Sequence, residues 1–252
     1  MAKRNLLLRK RLFCGFLGLA CLSLASTFTS TQIHAQSAPP SSPLAQLRLR
    51  IVSAPSATHH AAPAVAWLEP LTPNPTLTFQ PHGHYTLLQK NRTFVPHLQI
   101  IPVGTVVQFP NADPFFHNVF SLFDGKRFDL GLYEAGSSKS VTFSREGVSY
   151  IFCNIHPEMS AVVLALSTPL YAVADANDAF LLAAIPPGDY TLHLWVEGIP
   201  QSVTDPLTRV VHLPGRTVDL GTINLTPAPA ANPHTNKFGN PYDPTAKPPY
   251  DH

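Results

Sequence analysis

The chain has 252 residues, with 17 Lys+Arg against 15 Asp+Glu, 12 His and 27 Pro, so it is long enough for one or two domains but carries no charge excess suited to a nucleic-acid surface. Its three cysteines exclude a disulfide framework of the kind that staples small secreted domains. No CxxCH haem attachment, P-loop or dinucleotide fingerprint occurs.

Residues 1–35 read as a secretory signal peptide. Lys3, Arg4, Arg9, Lys10 and Arg11 precede an apolar run from Leu12 to Ala25, and a polar stretch ends at Ile33-His34-Ala35. The run is short for a membrane span, and no later segment is continuously apolar for the roughly 20 residues a spanning helix needs. The expectation is a periplasmic or secreted protein with no transmembrane segment in the mature chain. Lipoprotein processing at Cys21 fits less well, because Gly18-Leu19-Ala20 lacks the leucine usual three positions before such a cysteine. Loss of the signal leaves 12 basic against 15 acidic residues, a charge of −3, and one cysteine, Cys153, with one methionine, Met159. An exported thiol is normally paired, or else buried as a small hydrophobe; its neighbours have to decide.

Residues 36–46 read as a flexible Pro/Ser-rich leader. From residue 47 to 167, short β-branched or aromatic runs alternate with Gly, Pro, Asn and Asp breaks: LRLRIV, AVAWLEPL, TLTF, FVPHLQIIPV, GTVVQF, HNVFSLF, SVTFS, GVSYIFC and AVVLALS. Many short strands between turn signals predict an antiparallel sandwich or barrel. Residues 168–225 predict a second, smaller β-sandwich, with Pro186-Pro187-Gly188-Asp189 as a turn and strand-like alternation from Tyr190 to Val196. Residues 226–252, with Pro at 227, 229, 233, 241, 244, 248 and 249, are expected to be extended or disordered. No helix of ordinary length is expected after the signal, so the fold class is all-β.

The chemistry concentrates in CNIHPEM, residues 153–159. The strand Gly147–Phe152 runs into Cys153, and Pro157 breaks the chain soon after, which puts His156 and Met159 on the loop that follows. Thiolate, imidazole and thioether are soft donors that suit copper better than calcium or magnesium, and a blue-copper centre uses two His and one Cys with a weak axial Met. The candidate for the second histidine is His117 in PNADPFFHNVFSLF, 36 positions upstream of Cys153, where a turn enters an apolar strand.

These residues resemble the cupredoxin family. The two-residue gaps between Cys153, His156 and Met159, with proline after the histidine, are similar to amicyanin's short ligand loop. The resemblance covers roughly residues 80–166, including IPVGT (101–105), FPNADPFFHNV and GVSYIFCNIHPEM. It implies a Greek-key sandwich holding one type 1 copper, with His117, Cys153 and His156 as strong ligands, Met159 as the weak axial one, and Asn118 bracing the cysteine loop. Segment 168–225 is similar to carboxypeptidase regulatory-like (transthyretin-like) sandwiches. Residues 47–70 belong either to the cupredoxin-like domain or to that second sandwich, and in the latter case the cupredoxin is an insertion. The overall arrangement resembles bacterial proteins labelled methylamine-utilisation-like.

The function implied is single-electron transfer to an unidentified redox partner protein, not an enzyme by itself, with Phe115, Phe116 and Ile155 as the docking face. A copper carrier or sensor with an open site, and a structural or adhesion protein with a vestigial site, are the alternatives. Other histidines read as ordinary surface or loop residues: His59 and His60, which would point to opposite faces of a strand, the pair His82 and His84, and His97 and His193. Structural zinc wants four N or S ligands, and a cysteine nucleophile wants an orienting third residue; neither is evident. The triplets Asn91-Arg92-Thr93 and Asn224-Leu225-Thr226 match the glycosylation acceptor pattern, which is common by chance.

Overall fold

The structure, a computed structural model, describes residues 43–52, 62–122, 125–225 and 235–242. The signal-peptide reading, most of the leader, His59 and His60, and the rest of the Pro-rich tail lie outside the described residues. Among the described residues the chain is all-β, with seventeen strands and helix limited to the turns Gln201–Thr204 and Asp205–Leu207. No helix among them is long and apolar enough to cross a membrane.

The apolar runs explain the layering. Strand β12 (Ser160–Leu166) reads SAVVLAL and is buried on both faces. Its odd residues Ala161, Val163 and Ala165 enter one core, while Val162, Leu164 and Leu166 enter a second cluster. A strand with only one buried face would alternate apolar and polar. The first of these cores belongs to a central sandwich. One sheet has the order β6 (Leu98–Pro102), β12, β11 (Gly147–Cys153), β8 (His117–Ser121), β9 (Phe128–Tyr133). The facing sheet is β10 (Ser138–Phe143), β7 (Thr105–Pro110), β3 (Tyr85–Thr86), with the hairpin β4 (Leu88–Lys90) and β5 (Thr93–Val95) beside it. Phe109, Val119, Phe143, Ile151 and Val163 fill the space between.

The second sandwich is built from both ends of the chain. Strand β1 (Ala45–Val52) lies between β14 (Ala179–Ile185) and β17 (Thr217–Asn224), antiparallel to the first and parallel to the second. Strand β2 (Ala64–Pro70) lies between β13 (Tyr171–Val173) and β15 (Gly188–Val196), with β16 (Arg209–Leu213) at the edge. Leu47, Leu49, Leu68, Phe180, Leu192 and Leu213 share its core. Residues 45–70 thus pair with strands from beyond residue 170, and the central sandwich is entered and left between β2 and β13. Strand β1 begins at Ala45, inside the stretch expected to be a flexible leader.

The second cluster on β12 is the seam between the two sandwiches: Val65, Val148, Val162, Leu164, Leu166 and Trp195, with Trp67, Phe79 and Tyr150 against them. The Trp195 indole N–H donates to the Tyr150 hydroxyl at 3.1 Å. At its rim His97 bridges the carbonyl of Ser160, 3.1 Å away, and the carboxylate of Glu197, 2.7 Å away.

Two local expectations are corrected. TLTF (76–79) is not a strand; Thr76 caps onto the Asn74 side chain, while Leu77 packs on the second core and Phe79 on the seam, so the segment links the sandwiches. Strand β9, FDLGLY, went unread because Asp129 and Gly131 interrupt its alternation; Gly131 sits at φ 64°, a left-handed conformation that glycine adopts freely.

Candidate metal centre

Antiparallel pairing brings the start of β8 beside the end of β11. Cys153 is in register with Val119, and the two-residue period of a strand puts His117 on the same face as Val119. The loop after Cys153 then turns back on itself. The Met159 N–H donates to the His156 carbonyl at 3.1 Å, and the Cys153 N–H to the Met159 carbonyl at 3.3 Å. The Asn154 N–H donates across to the Asn118 carbonyl at 2.9 Å, so the loop is tied to both neighbouring strands.

The structure brings three predicted donors together. Cys153 Sγ lies 3.6 Å from His117 Nδ1 and 3.5 Å from His156 Nδ1, and the two Nδ1 atoms are 3.1 Å apart. His117 and Cys153 are fully buried and His156 is 2% exposed. Met159, also fully buried, shares the core with Cys153. First-row metal bonds of roughly 2.0–2.3 Å hold neighbouring donors roughly 3.3–3.8 Å apart, close to the edges of this triangle. Two imidazole nitrogens and a sulfur gathered at one point, away from water, suit a cation of soft preference. Among the described residues, this is the one group of three or more His, Cys, Asp or Glu donors so closely gathered.

Burial pushes the Cys153 thiol up, while the backbone amides of Asn118, Ile155 and His156 pull it back; the balance is a thiol raised above its ordinary value. A bound cation would reverse that preference, since a coordinating thiol is deprotonated outright.

Asp113 is the residue of the candidate site that sequence reading missed. Its Oδ2 accepts from His117 Nε2 at 2.9 Å, which leaves Nδ1 as the lone-pair nitrogen facing Cys153. The carboxylate is held in turn by the hairpin tip between β4 and β5. The Asn91 N–H donates to Oδ1 at 2.6 Å and the Arg92 N–H to Oδ2 at 3.0 Å. Both tip residues sit at φ 55°, the left-handed pair that a two-residue hairpin loop requires. Burial would raise the Asp113 carboxyl, but the bonds from Arg92, His117 and Asn91 outweigh it and keep the group below the usual range. Its position four residues before His117 was the available signal, though nothing in the linear sequence says that the turn folds back. If the site holds a metal, replacing Asp113 with alanine is expected to weaken Cu(II) binding by roughly 10–100-fold, the usual effect of removing a carboxylate behind a metal-bound histidine. Competition against a chromophoric chelator measures this, and unchanged affinity would remove Asp113 from the site.

Asn118 meets the cysteine loop through its backbone. Its side-chain amide donates to Asp129 Oδ1 at 2.6 Å, while its backbone carbonyl accepts from Asn154 and its backbone N–H bonds the Cys153 sulfur. Of the expected docking residues, Phe116 is 37% exposed and Phe115 and Ile155 are partly buried. Phe115 packs against both imidazoles, with ring centres 5.3 Å from each, and the Arg92 guanidinium lies 5.1 Å from its own centre. His82 and His84 are exposed, while His193 is half-buried, stacks on Trp67 at 5.1 Å and lies 3.3 Å from the Glu69 carboxylate.

No family model and no curated protein matches the chain. Among solved structures it is similar to the purple cupredoxin of Nitrosopumilus maritimus, at 27% identity and TM-score 0.29, over 32% of this chain and 96% of that one. It is similar to a reduced amicyanin variant at 21% identity and TM-score 0.31, over 33% of this chain and 83% of that one. A copper-containing nitrite reductase from Thermus scotoductus aligns at 23% identity and TM-score 0.32, over 46% of this chain but only 28% of its own length. Each alignment leaves more than half of this chain unmatched, so the case for a metal rests on the donors themselves.

Proposed function

We propose that the chain is an exported mononuclear type 1 copper protein that carries single electrons, with His117, Cys153 and His156 as strong ligands and Met159 as the weak axial ligand. The observation that carries this reading is the buried triangle of two Nδ1 atoms and one sulfur with edges of 3.1–3.6 Å. Bound there, copper supplies a one-electron couple. The protein's own part is to hold the donors still and keep water out. Asp113 orients His117, the turn from His156 to Met159 fixes the loop, and Phe115 seals both imidazoles from one side. Donors that stay in place between oxidation states lower the reorganisation that slows electron transfer. Phe116 and Ile155 beside the site give an apolar approach for an unidentified redox partner, and the sequence of residues 1–35 supports a periplasmic or secreted location. The activity proposed is that of a carrier, not an enzyme.

The test is a Cu(II) titration of the chain from residue 36, followed by visible and EPR spectra before and after ascorbate. An intense thiolate-to-copper band that bleaches on reduction and returns on oxidation is expected. Weak, colourless and easily dialysed binding would instead indicate a metal carrier, and no binding a structural role. Met159→Leu is expected to keep copper and raise the reduction potential, because the axial donor tunes it. A redox titration with an unchanged midpoint would show that Met159 is not axial.

A further inference from the structure

Hydrogen bonds tie the C-terminal segment 235–242 to the loop that carries Cys153, and four bonds close a ring. Asn118, directly after His117, donates from Nδ2 to Asp129 Oδ1 on β9 at 2.6 Å. The other oxygen of Asp129 accepts from Lys237 Nζ at 2.9 Å. Lys237 donates its backbone N–H to Asn154 Oδ1 at 2.9 Å. Asn154, directly after Cys153, donates its own N–H back to the Asn118 carbonyl at 2.9 Å. Two of the four members therefore follow proposed ligands in the chain. Tyr242 adds a second tie, its phenol donating to the Cys153 carbonyl at 2.9 Å.

This order is unexpected from composition, since the segment TNKFGNPY offers little to bury. Ordering it has an entropic cost that specific bonds must offset. Lys237 and Asp129 make a charge-assisted bond, stronger than a neutral one. With side chains 23% and 41% exposed, that pair is partly solvated, so its effect is on geometry more than on global stability. The Asn118 backbone N–H faces the Cys153 sulfur, and hydrogen bonding around that sulfur is one of the levers that set a type 1 potential.

We propose that Lys237 and Tyr242 are positioning residues for the metal loop: segment 235–242 fixes Asn118 and Asn154 and thereby sets the reduction potential and the rate of metal release. The inference rests on the copper reading above. Lys237 is the keystone, because it reaches Asp129 with its side chain and Asn154 with its backbone.

The test compares the parent chain with Lys237→Met, Tyr242→Phe and the conservative Lys237→Arg. Amide hydrogen exchange of residues 153–156, measured without metal, is expected to be roughly 2–10-fold faster in the first two variants, as for the loss of one net hydrogen bond. Lys237→Arg should stay close to the parent. After copper loading, the first two should also show a shifted potential and faster release to a chelator. Equal exchange and equal potential in all four proteins overturn the ring, and the copper reading still stands if the parent shows its intense band. Faster exchange in the variants with no such band in the parent supports the ring as a brace and overturns the copper reading.

Discussion

Replacing Cys153 with serine is expected to abolish the intense visible absorption of the copper-loaded chain. The band requires a thiolate as donor, and the sulfur of Cys153 is the one such atom among the described residues, 3.5–3.6 Å from both imidazole nitrogens. A serine hydroxyl is a harder donor that stays protonated far above the pH at which a metal-bound thiol ionises. It is also smaller, so a fully buried position would be left with a gap beside the two Nδ1 atoms. The imidazoles should still hold Cu(II) weakly, giving a pale complex whose EPR spectrum shows the wide copper hyperfine splitting of an ordinary nitrogen and oxygen site. Paired spectra of parent and variant at equal copper loading make the comparison. An unchanged band in the variant would sink the site.

The second large effect lies away from the donors. Trp195→Ala is expected to destabilise the chain by about 3–5 kcal/mol, the range for truncating a buried large aromatic. Trp195 is 1% exposed and packs with Val65, Val148, Val162, Leu164 and Leu166 from both sandwiches. The change leaves a cavity at the seam and removes the indole donor from Tyr150. Urea unfolding measures it, and for a chain of this size each kcal/mol lowers Tm by about 2–4 °C. The copper band should survive below the new transition, because Cys153 and Met159 sit in the other core. A loss no larger than the roughly 0.5 kcal/mol typical of surface substitutions would mean that the seam is not a packed interface.

Much of the candidate centre was legible because its donors are close in sequence. Cys153, His156 and Met159 fall within one seven-residue loop, and His117 follows a turn into an apolar strand. What supports them was not legible. The clasp on Asp113 comes from Asn91 and Arg92, more than 20 positions away, and the partner of Asp129 is 108 positions away at Lys237. Single polar residues at such separations leave no pattern in a linear sequence. The Pro-rich tail illustrates the same limit, since its composition predicts an extended or disordered chain while residues 235–242 are bonded to the loop that carries Cys153.

By itself the sequence determined local character: short strands between turns, hence an all-β chain, and soft donors at the end of one strand. AVVLALS and AVAWL do not alternate, and the structure shows the reason, burial on both faces. Only the tertiary structure decided what those faces meet. Alternation in LRLRIV says that half of a strand is buried and is silent about the neighbour. Pairing of β1 with β14 and β17, and of β2 with β13 and β15, joins segments more than 100 residues apart. Apart from proline, every residue offers the same backbone donor and acceptor, so strand partners are selected by the shape and burial of whole faces, and that selection exists only once the chain has folded.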